Sequence, residues 1–214
     1  MKVLVTGFDP FGGESVNPAL EAVMRLPDTI AGSNIIKEEV PTVFQKSGEV
    51  LERLIARHEP DVVICVGQAG GRSSVSVEKV AINFAEARIA DNEGNQPRDL
   101  KIKEDGETAY FSTLPIKAMV MNMRKHEIPA NISYTAGTFV CNDIMYTLLY
   151  LLNRKYPQMR GGFIHVPFIP AQVVGKAEGT PSMSLEMIRD ALICAIEATV
   201  QNERDIQDAM GTIM

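Results

Sequence analysis

The feature that most constrains the fold of this chain is an alternation of strand-like and helix-like segments. Short apolar runs alternate with amphipathic stretches along most of the 214 residues. Such alternation predicts an α/β fold in which helices cover both faces of a mostly parallel sheet. We therefore expect an open three-layer α/β/α sandwich, with the nearly continuous apolar run at 61–66 as a central strand.

The segment between residues 70 and 114 interrupts this alternation. It lacks helical periodicity and contains short alternating pieces, so it predicts small β-hairpins that form an excursion from the main sheet. Asn17 and Pro18 are typical of a helix start, as the N-cap and the first helical residue. The predicted strands are 2–6, 35–40, 61–66, 131–134 and 162–166, and the predicted helices are 18–25, 42–57, 116–125, 140–155 and 183–202.

Composition excludes several classes of protein. A net charge of −6 and the lack of a basic stripe argue against nucleic-acid binding. No apolar stretch reaches the roughly 18 residues of a membrane span, and the apolar part of the N-terminus is too short for a signal peptide. The length predicts one domain, residues 1–214, with a full hydrophobic core.

The three cysteines are an odd number without metal-type spacing, which favours free thiols in a reducing cytoplasm over disulfides. Cys65 lies inside the central apolar run and Cys194 in a helical apolar pattern, so both are interpreted as core residues. Cys141 lies where the strand at 131–134 turns into a helical pattern. In the first turn of a helix, unpaired N–H groups and the helix dipole stabilise a thiolate, and they could also hold an oxyanion.

A core position is the simpler interpretation of Cys141, because free cysteines are among the most buried residues. His165 favours a nucleophile instead. It follows two apolar strand formers and precedes Pro167, which places it at the C-terminal end of a strand, where α/β proteins bind ligands. Folding could bring the two together as a nucleophile and its base. No two of the three histidines have metal-ligand spacing, so no metal site is expected.

Glu78 and Arg88 each have two interpretations. Glu78 interrupts an apolar alternation, either as a solvent-facing strand residue or as a carboxylate that orients His165. Arg88 could donate to an oxyanion or to a substrate carbonyl, or form an ion pair with Asp91 or Glu86. From the residues alone, the ion pair is the simpler interpretation of Arg88.

Two loops lie where an open α/β fold presents ligand-binding groups. Phe8 and Phe11 follow the first strand and could wall an apolar slot, or pack beneath the loop. Gln68 follows the central strand and offers an amide to a polar ligand, although an ordinary turn explains its loop equally well. The Gly-Gly pair after Phe11 has neither a P-loop lysine nor dinucleotide spacing, so nucleotide binding is rejected.

With these residues assembled, the chain resembles the pyroglutamyl-peptidase I family. The resemblance covers nearly the whole chain and is carried by GFDPFGG at 7–13, SVEKVAIN at 76–83, GTFVCN at 137–142 and IHVP at 164–167. It implies a cytosolic cysteine peptidase that removes N-terminal pyroglutamate, an α/β/α sandwich and commonly a homotetramer. It also implies a triad of Glu78, Cys141 and His165. Lys79 and Phe139 stand where arginine and tyrosine are often expected.

The chemistry of pyroglutamate fits these residues. Its ring has no charged amine, so a pocket needs apolar walls and a few polar partners for the lactam. In the expected mechanism, the Cys141 thiolate attacks the pyroglutamyl carbonyl, and His165 moves the thiol proton to the departing amine. The N–H of Cys141, together with Arg88, stabilises the oxyanion, water hydrolyses the thioester, and no cofactor is needed. The candidate walls are Phe8, Phe11, Phe139 and Val140, and the candidate lactam partners are Asn17 and Gln68.

Two alternatives of different kinds remain open at this point. One is a relative of the purine-nucleoside phosphorylases, which share the broad architecture; the Cys–His pair would then be incidental. The other is a catalytically silent module that binds cyclised N-termini.

Overall fold

The centre of the molecule is a seven-stranded sheet, in a computed structural model that describes residues 1–211. The strands are β1 (Lys2–Phe8), β2 (Thr29–Ile30), β3 (Ser33–Val40), β4 (Val62–Gln68), β5 (Val75–Glu78), β6 (Val80–Ile82), β7 (Ala109–Phe111), β8 (Ala130–Ser133) and β9 (Arg160–Val166). The order in the main sheet is β2-β3-β1-β4-β9-β5-β8, and β6 pairs with β7 in a separate two-stranded sheet.

The main sheet is mostly parallel, as the alternation of elements predicts. Strands β3, β1, β4 and β9 run in one direction. At one edge, β2 is antiparallel to β3. At the other edge β5 is antiparallel to β9, and β8 is parallel to β5. This reversal decides how β5 presents its side chains to β9.

The helices cover both faces, which confirms the three-layer α/β/α sandwich. They are α1 (Pro18–Met24), α2 (Lys46–His58), α3 (Ile116–Lys125), α4 (Val140–Arg154), α5 (Pro170–Val173) and α6 (Leu185–Gln201). Helices α2 and α4 pack on one face, and α1, α3 and α6 pack on the other. Asn17 caps α1, with Pro18 in the first turn, as predicted.

Alternate residues of the central strand supply two separate cores. Ile64 and Val66 point toward the side of α1, α3 and α6, whereas Val63 and Cys65 point toward α2 and α4. The prediction that Cys65 and Cys194 are core residues is confirmed, because both are buried.

Two local predictions were wrong. Residues 75–78 are not part of an excursion, because β5 lies in the main sheet between β9 and β8; only β6 and β7 form the small sheet. Residues 42–45 precede α2 instead of forming its first turn. Carboxylates from elsewhere hold this loop: Phe44 N–H donates to Asp91 and Gln45 N–H to Asp143, each at 2.9 Å.

Other boundaries differ from the predicted ones by a few residues at most, and α3 has the predicted bounds. The tail after Arg204, predicted to be frayed or helical, forms no helix up to residue 211, and its last three residues lie outside the described part of the chain. No helix within residues 1–211 has the length and apolar character needed to cross a membrane.

Candidate active site

His165 and Glu78 are joined by a hydrogen bond of 2.7 Å between Nδ1 and Oε1. Because β5 and β9 are antiparallel, Ser76 lies opposite His165, and Glu78 is the diagonal neighbour of the histidine on the same face. Glu78 is 0% exposed and His165 is 4% exposed. The carboxylate therefore fixes the imidazole in one orientation, with Nε2 pointing away from Glu78.

The thiol of Cys141 lies beside this pair. A Cβ built on Gly67 would be 3.0 Å from Cys141 Sγ. Gly67 is also the register partner of His165, on the adjacent parallel strand β4. Since neighbouring strands are about 4.8 Å apart, the thiol and the imidazole occupy adjacent positions on one face of the sheet. The structure thus brings together Glu78, Cys141 and His165, which are distant in sequence.

The start of α4 offers hydrogen-bond donors next to the thiol. Phe139 is the N-cap, and its side chain caps no N–H group. The N–H groups of Asn142 and Asp143 donate to the Phe139 carbonyl at 3.0 and 3.2 Å. Within residues 1–211, the N–H group of Val140 has no hydrogen-bond partner, and that of Cys141 faces only its own thiol. They are therefore available to an oxygen that becomes negatively charged.

The Asn142 side chain fixes the start of α4 against the small sheet. Its Oδ1 accepts from Ile82 N–H at 3.0 Å, and its Nδ2 donates to the carbonyls of Ile82 and Phe84, both at 2.9 Å. The first turn of α4 is therefore anchored to β6 and to the residues that follow it.

Arg72 belongs to this cluster, although its sequence context does not indicate a role at the site. Its Nη1 donates to Glu78 Oε1 at 2.7 Å, and its Nη2 donates to the Thr135 carbonyl at 3.2 Å. Arg72 and His165 therefore share one carboxylate oxygen. No local pattern marks Arg72, because it lies in the loop after Gly71 and meets its partners only through the pairing of distant strands.

Burial shapes the protonation states of these groups. It raises the pKa of the Cys141 thiol to about 12; the Glu78 charge adds to this increase, and Arg72 opposes it. Burial also lowers the pKa of His165, against the opposing effect of Glu78. For Glu78 itself burial acts to raise the pKa, but the hydrogen bond with His165 and the Arg72 charge hold it below its usual value. These directions favour a thiol, a neutral imidazole and a carboxylate in the resting site. Burial thus opposes the stabilisation of a thiolate that the helix start predicts.

Three phenylalanine rings pack together next to the loop before α4. The Phe139 ring centroid is 6.2 Å from that of Phe11 and 5.2 Å from that of Phe44, which packs edge-on. Phe11 and Phe139 are partly exposed. Phe8 is only 2% exposed and packs on Phe163, and Val140 is fully buried. Phe44 was not identified from sequence, because its contact with Phe139 depends on the loop held by Asp91 and Asp143.

The two candidate lactam partners differ in what their amides already bind. Asn17 Oδ1 accepts from Ala19 N–H at 3.0 Å and its Nδ2 donates to the Asp9 carbonyl at 3.1 Å, so the cap uses both ends. Gln68 Oε1 accepts from Gln172 Nε2 at 2.8 Å. This bond leaves the Gln68 N–H groups to donate elsewhere.

Arg88 is exposed and lies in a segment attached to the loop before α4. Glu86 N–H donates to the Thr138 carbonyl at 3.0 Å, and Thr138 Oγ1 donates to the Glu86 carbonyl at 2.8 Å. In the described part of the chain, Arg88 forms no ion pair with Asp91 or Glu86. The simpler interpretation of Arg88 therefore has no support in the structure.

The part of the chain that the structure describes contains no group of three or more His, Cys, Asp or Glu side chains that could hold a metal ion. The other two histidines are at helix ends: His58 is the last residue of α2, and His126 follows α3.

Comparisons with known proteins show the family of the chain. The family model described as pyroglutamyl peptidase matches residues 1–202. A pyrrolidone-carboxylate peptidase of Enterococcus faecalis is 65% identical over 212 residues, which cover 99% of each chain. One of Clostridium botulinum is 60% identical over 213 residues, with 100% of each chain covered. The crystal structure of pyroglutamyl peptidase I from Bacillus amyloliquefaciens superposes with a TM-score of 0.94 at 52% identity, covering 97% of this chain and 99% of that one.

Proposed function

Because this chain belongs to the pyroglutamyl peptidase family, we propose that Cys141, His165 and Glu78 are the nucleophile, the base and the base-orienting carboxylate of its reaction. The chain is a cysteine peptidase that removes the N-terminal pyroglutamyl residue from peptides. The comparisons do not support a phosphorylase or a silent binding module. The observation that carries the residue assignment is the position of the Cys141 thiol against Gly67, the register partner of His165.

The first step follows from the resting protonation states. His165 Nδ1–H donates to Glu78, so Nε2 carries the lone pair that accepts a proton. As Cys141 Sγ bonds to the pyroglutamyl carbonyl carbon, its proton moves to Nε2 and the carbonyl π electrons move to oxygen. Glu78 stabilises the imidazolium that forms. Coupling the proton transfer to the attack avoids a free thiolate, which burial disfavours.

The oxyanion forms beside the first turn of α4. The N–H of Cys141 donates to it, and Arg88 supplies a positive charge from the segment that Thr138 holds. When the tetrahedral intermediate collapses, the C–N bond breaks and imidazolium Nε2 gives its proton to the departing amine. Water, deprotonated by the same nitrogen, then hydrolyses the thioester to free pyroglutamate and restores the thiol. These steps need no cofactor.

The lactam binds between the loops. Phe11 and Phe139 form the apolar wall against the ring methylenes, because their rings pack together and stay partly exposed. Phe8 and Val140 support this wall from below. Gln68 donates to the lactam carbonyl, since its own oxygen is already bound to Gln172. Asn17 does not bind the lactam, because both ends of its amide are already hydrogen-bonded at the start of α1.

Acyl-enzyme trapping tests the residue assignment. Rapid acid quenching of the enzyme with a pyroglutamyl ester, followed by mass spectrometry of proteolytic peptides, should place a pyroglutamyl group on the peptide that contains Cys141. The matched substrate is the corresponding prolyl ester, which lacks the lactam carbonyl and should acylate the enzyme poorly. A pyroglutamyl group on a different residue would contradict the assignment.

We also propose a cytoplasmic location and a homotetramer, and residues 1–214 acting as a single catalytic domain. All three cysteines are unpaired, and free thiols are typical of a reducing compartment. The homotetramer rests on the family resemblance alone. Light scattering coupled to gel filtration measures the subunit number directly, and a monomer would contradict the proposal.

A further inference from the structure

Arg72 has no part in the steps described above, yet it is bonded to the centre of the site. One end of its guanidinium donates to Glu78 Oε1 at 2.7 Å, and the other donates to the Thr135 carbonyl at 3.2 Å. Its side chain is 29% exposed, whereas that of Glu78 is 0% exposed. A cation partly withdrawn from water and bonded to a fully buried carboxylate is an arrangement that needs an explanation.

We propose that Arg72 is a positioning residue that keeps Glu78 ionised and balances the charge of the reacting Cys141–His165 pair. The proposal rests on the roles proposed above for those three residues. Arg72 also connects Glu78 to the loop before α4 through the Thr135 carbonyl. It therefore fixes the position of the carboxylate relative to the turn that carries Cys141.

Charge balance explains why an arginine is needed here. Before proton transfer, the charges of Glu78 and Arg72 cancel, and the thiol and the imidazole are neutral. After transfer, the oxyanion on the substrate and the imidazolium add one charge of each sign, so the sum is again zero. Without Arg72 the same site would carry a net negative charge, which a buried environment disfavours.

The other ionisable groups around the site do not replace this cation at Glu78. Arg88, which we place at the oxyanion, is exposed and forms no ion pair with Glu78 within residues 1–211. Glu78 comes from β5, His165 from β9 and Cys141 from α4. Cys65 on β4 is buried and its thiol pKa is raised by burial to about 12, so it stays uncharged. Lys79 places its ammonium over the Phe111 ring, 5.2 Å from the centroid, and forms no ion pair with Glu78 within residues 1–211. Arg72 is therefore the cation that faces the carboxylate.

The test compares Arg72→Met, which removes the charge, with Arg72→Lys, which keeps it. Arg57→Met is the matched control, because Arg57 is an exposed arginine in the last turn of α2, at the opposite edge of the sheet. Two pH profiles are measured for each: kcat/KM on pyroglutamyl-aminomethylcoumarin, and the rate of Cys141 alkylation by iodoacetamide, followed by mass spectrometry. The substrate does not titrate in this range, so the profiles report on the enzyme.

Removing a cation raises the proton affinity of every group in the cluster. Arg72→Met should therefore move the acid limb of kcat/KM and the alkylation profile toward higher pH by about one unit. Its kcat/KM should fall about 10- to 100-fold, as expected for a lost hydrogen bond to a charged group. Arg72→Lys should keep the wild-type position of both profiles, and Arg57→Met should change neither.

A lower rate with unmoved profiles would overturn the proposal, since it would reduce Arg72 to a structural contact. Thermal unfolding shows whether Arg72→Met folds; if it does not, a shifted profile in Arg72→Lys would equally overturn the proposal. Alkylation does not depend on peptide hydrolysis. The two failures can therefore be told apart. If the proposed function is wrong, the wild-type enzyme shows no turnover; if the role of Arg72 is wrong, the alkylation profile of Arg72→Met does not move.

Discussion

Cys141 Sγ lies against the backbone of Gly67, so that a methyl group on residue 67 would be 3.0 Å from the sulfur. The same methyl group would be 2.7 Å from the Phe163 ring. The missing side chain of Gly67 is what leaves room for the thiol next to His165. Gly67, which has no reactive side chain, thus sets the position of the proposed nucleophile.

Gly67→Ala should therefore damage catalysis. The added methyl group displaces the thiol, and a displacement of about 1 Å costs on the order of 100-fold in rate. Gly161→Ala is the matched control, because its Cβ would also be crowded, 3.0 Å from Leu148, but at the far end of β9. Kinetics and thermal unfolding of both variants separate the effects. Both should lose stability, and a Gly67→Ala enzyme with wild-type kcat/KM would contradict the position of the thiol.

Glu78→Gln should lower kcat by about 100- to 10,000-fold, because the amide cannot stabilise an imidazolium and leaves Arg72 without its carboxylate. Steady-state kinetics on pyroglutamyl-aminomethylcoumarin measures the loss. Glu104→Gln is the control, since the Glu104 side chain is 89% exposed and lies in an i,i+3 pair with Lys101. Equal kcat values for Glu78→Gln and Glu104→Gln would show that Glu78 does not take part in the reaction.

Phe8 and Phe11 should respond differently to replacement by alanine. Phe8 is buried against Phe163, so Phe8→Ala should lower the free energy of unfolding by about 3–5 kcal/mol. Phe11 is partly exposed and packs on Phe139, so Phe11→Ala should raise KM with a smaller effect on stability. Urea unfolding and steady-state kinetics measure both quantities. The reverse pattern would mean that Phe8 forms the wall instead.

Asp143 should make stability depend on pH. It accepts Gln45 N–H at 2.9 Å, and burial raises its pKa to about 6. Since this exceeds the unfolded value of about 3.9, the folded state holds more protons between these two values, and its stability falls as pH rises through that window. Asp143→Asn removes this titration and keeps an oxygen for Gln45. The stability of the variant relative to wild type should therefore increase by about 2–3 kcal/mol from pH ~4 to pH ~7. Urea unfolding at both values checks it, and an unchanged difference would contradict the shifted pKa.

The fold was largely predictable because its main signals are local. The central strands are short apolar runs, and the longer helices have their own periodicity, as at 116–125. The short elements β2 and α5 carry no such signal and were not predicted. The prediction for residues 75–78 was wrong because these four residues join the main sheet by pairing with β8 and β9, which are far away in sequence. The loop at 42–45 was misplaced for the same reason, since distant carboxylates hold it.

The same difference between local and distant signals decides which site residues could be predicted. Cys141 and His165 could be proposed from where they stand relative to a helix start and a strand end. Arg72, Phe44 and Gln172 could not, because each acts through a residue that only folding brings near: Glu78, Phe139 and Gln68. The orientation of Glu78 also depends on the reversal of β5, which no local pattern indicates.

Release of aminomethylcoumarin from its pyroglutamyl amide, compared between the wild-type enzyme, Cys141→Ser and Cys194→Ser, shows whether Cys141 is the nucleophile. The exchange of sulfur for oxygen preserves shape, and thermal unfolding verifies that both variants fold. Cys141→Ser should lower kcat/KM by at least about 10,000-fold, as expected for loss of the nucleophile, whereas Cys194→Ser should retain wild-type turnover. Substantial turnover by Cys141→Ser would contradict the account.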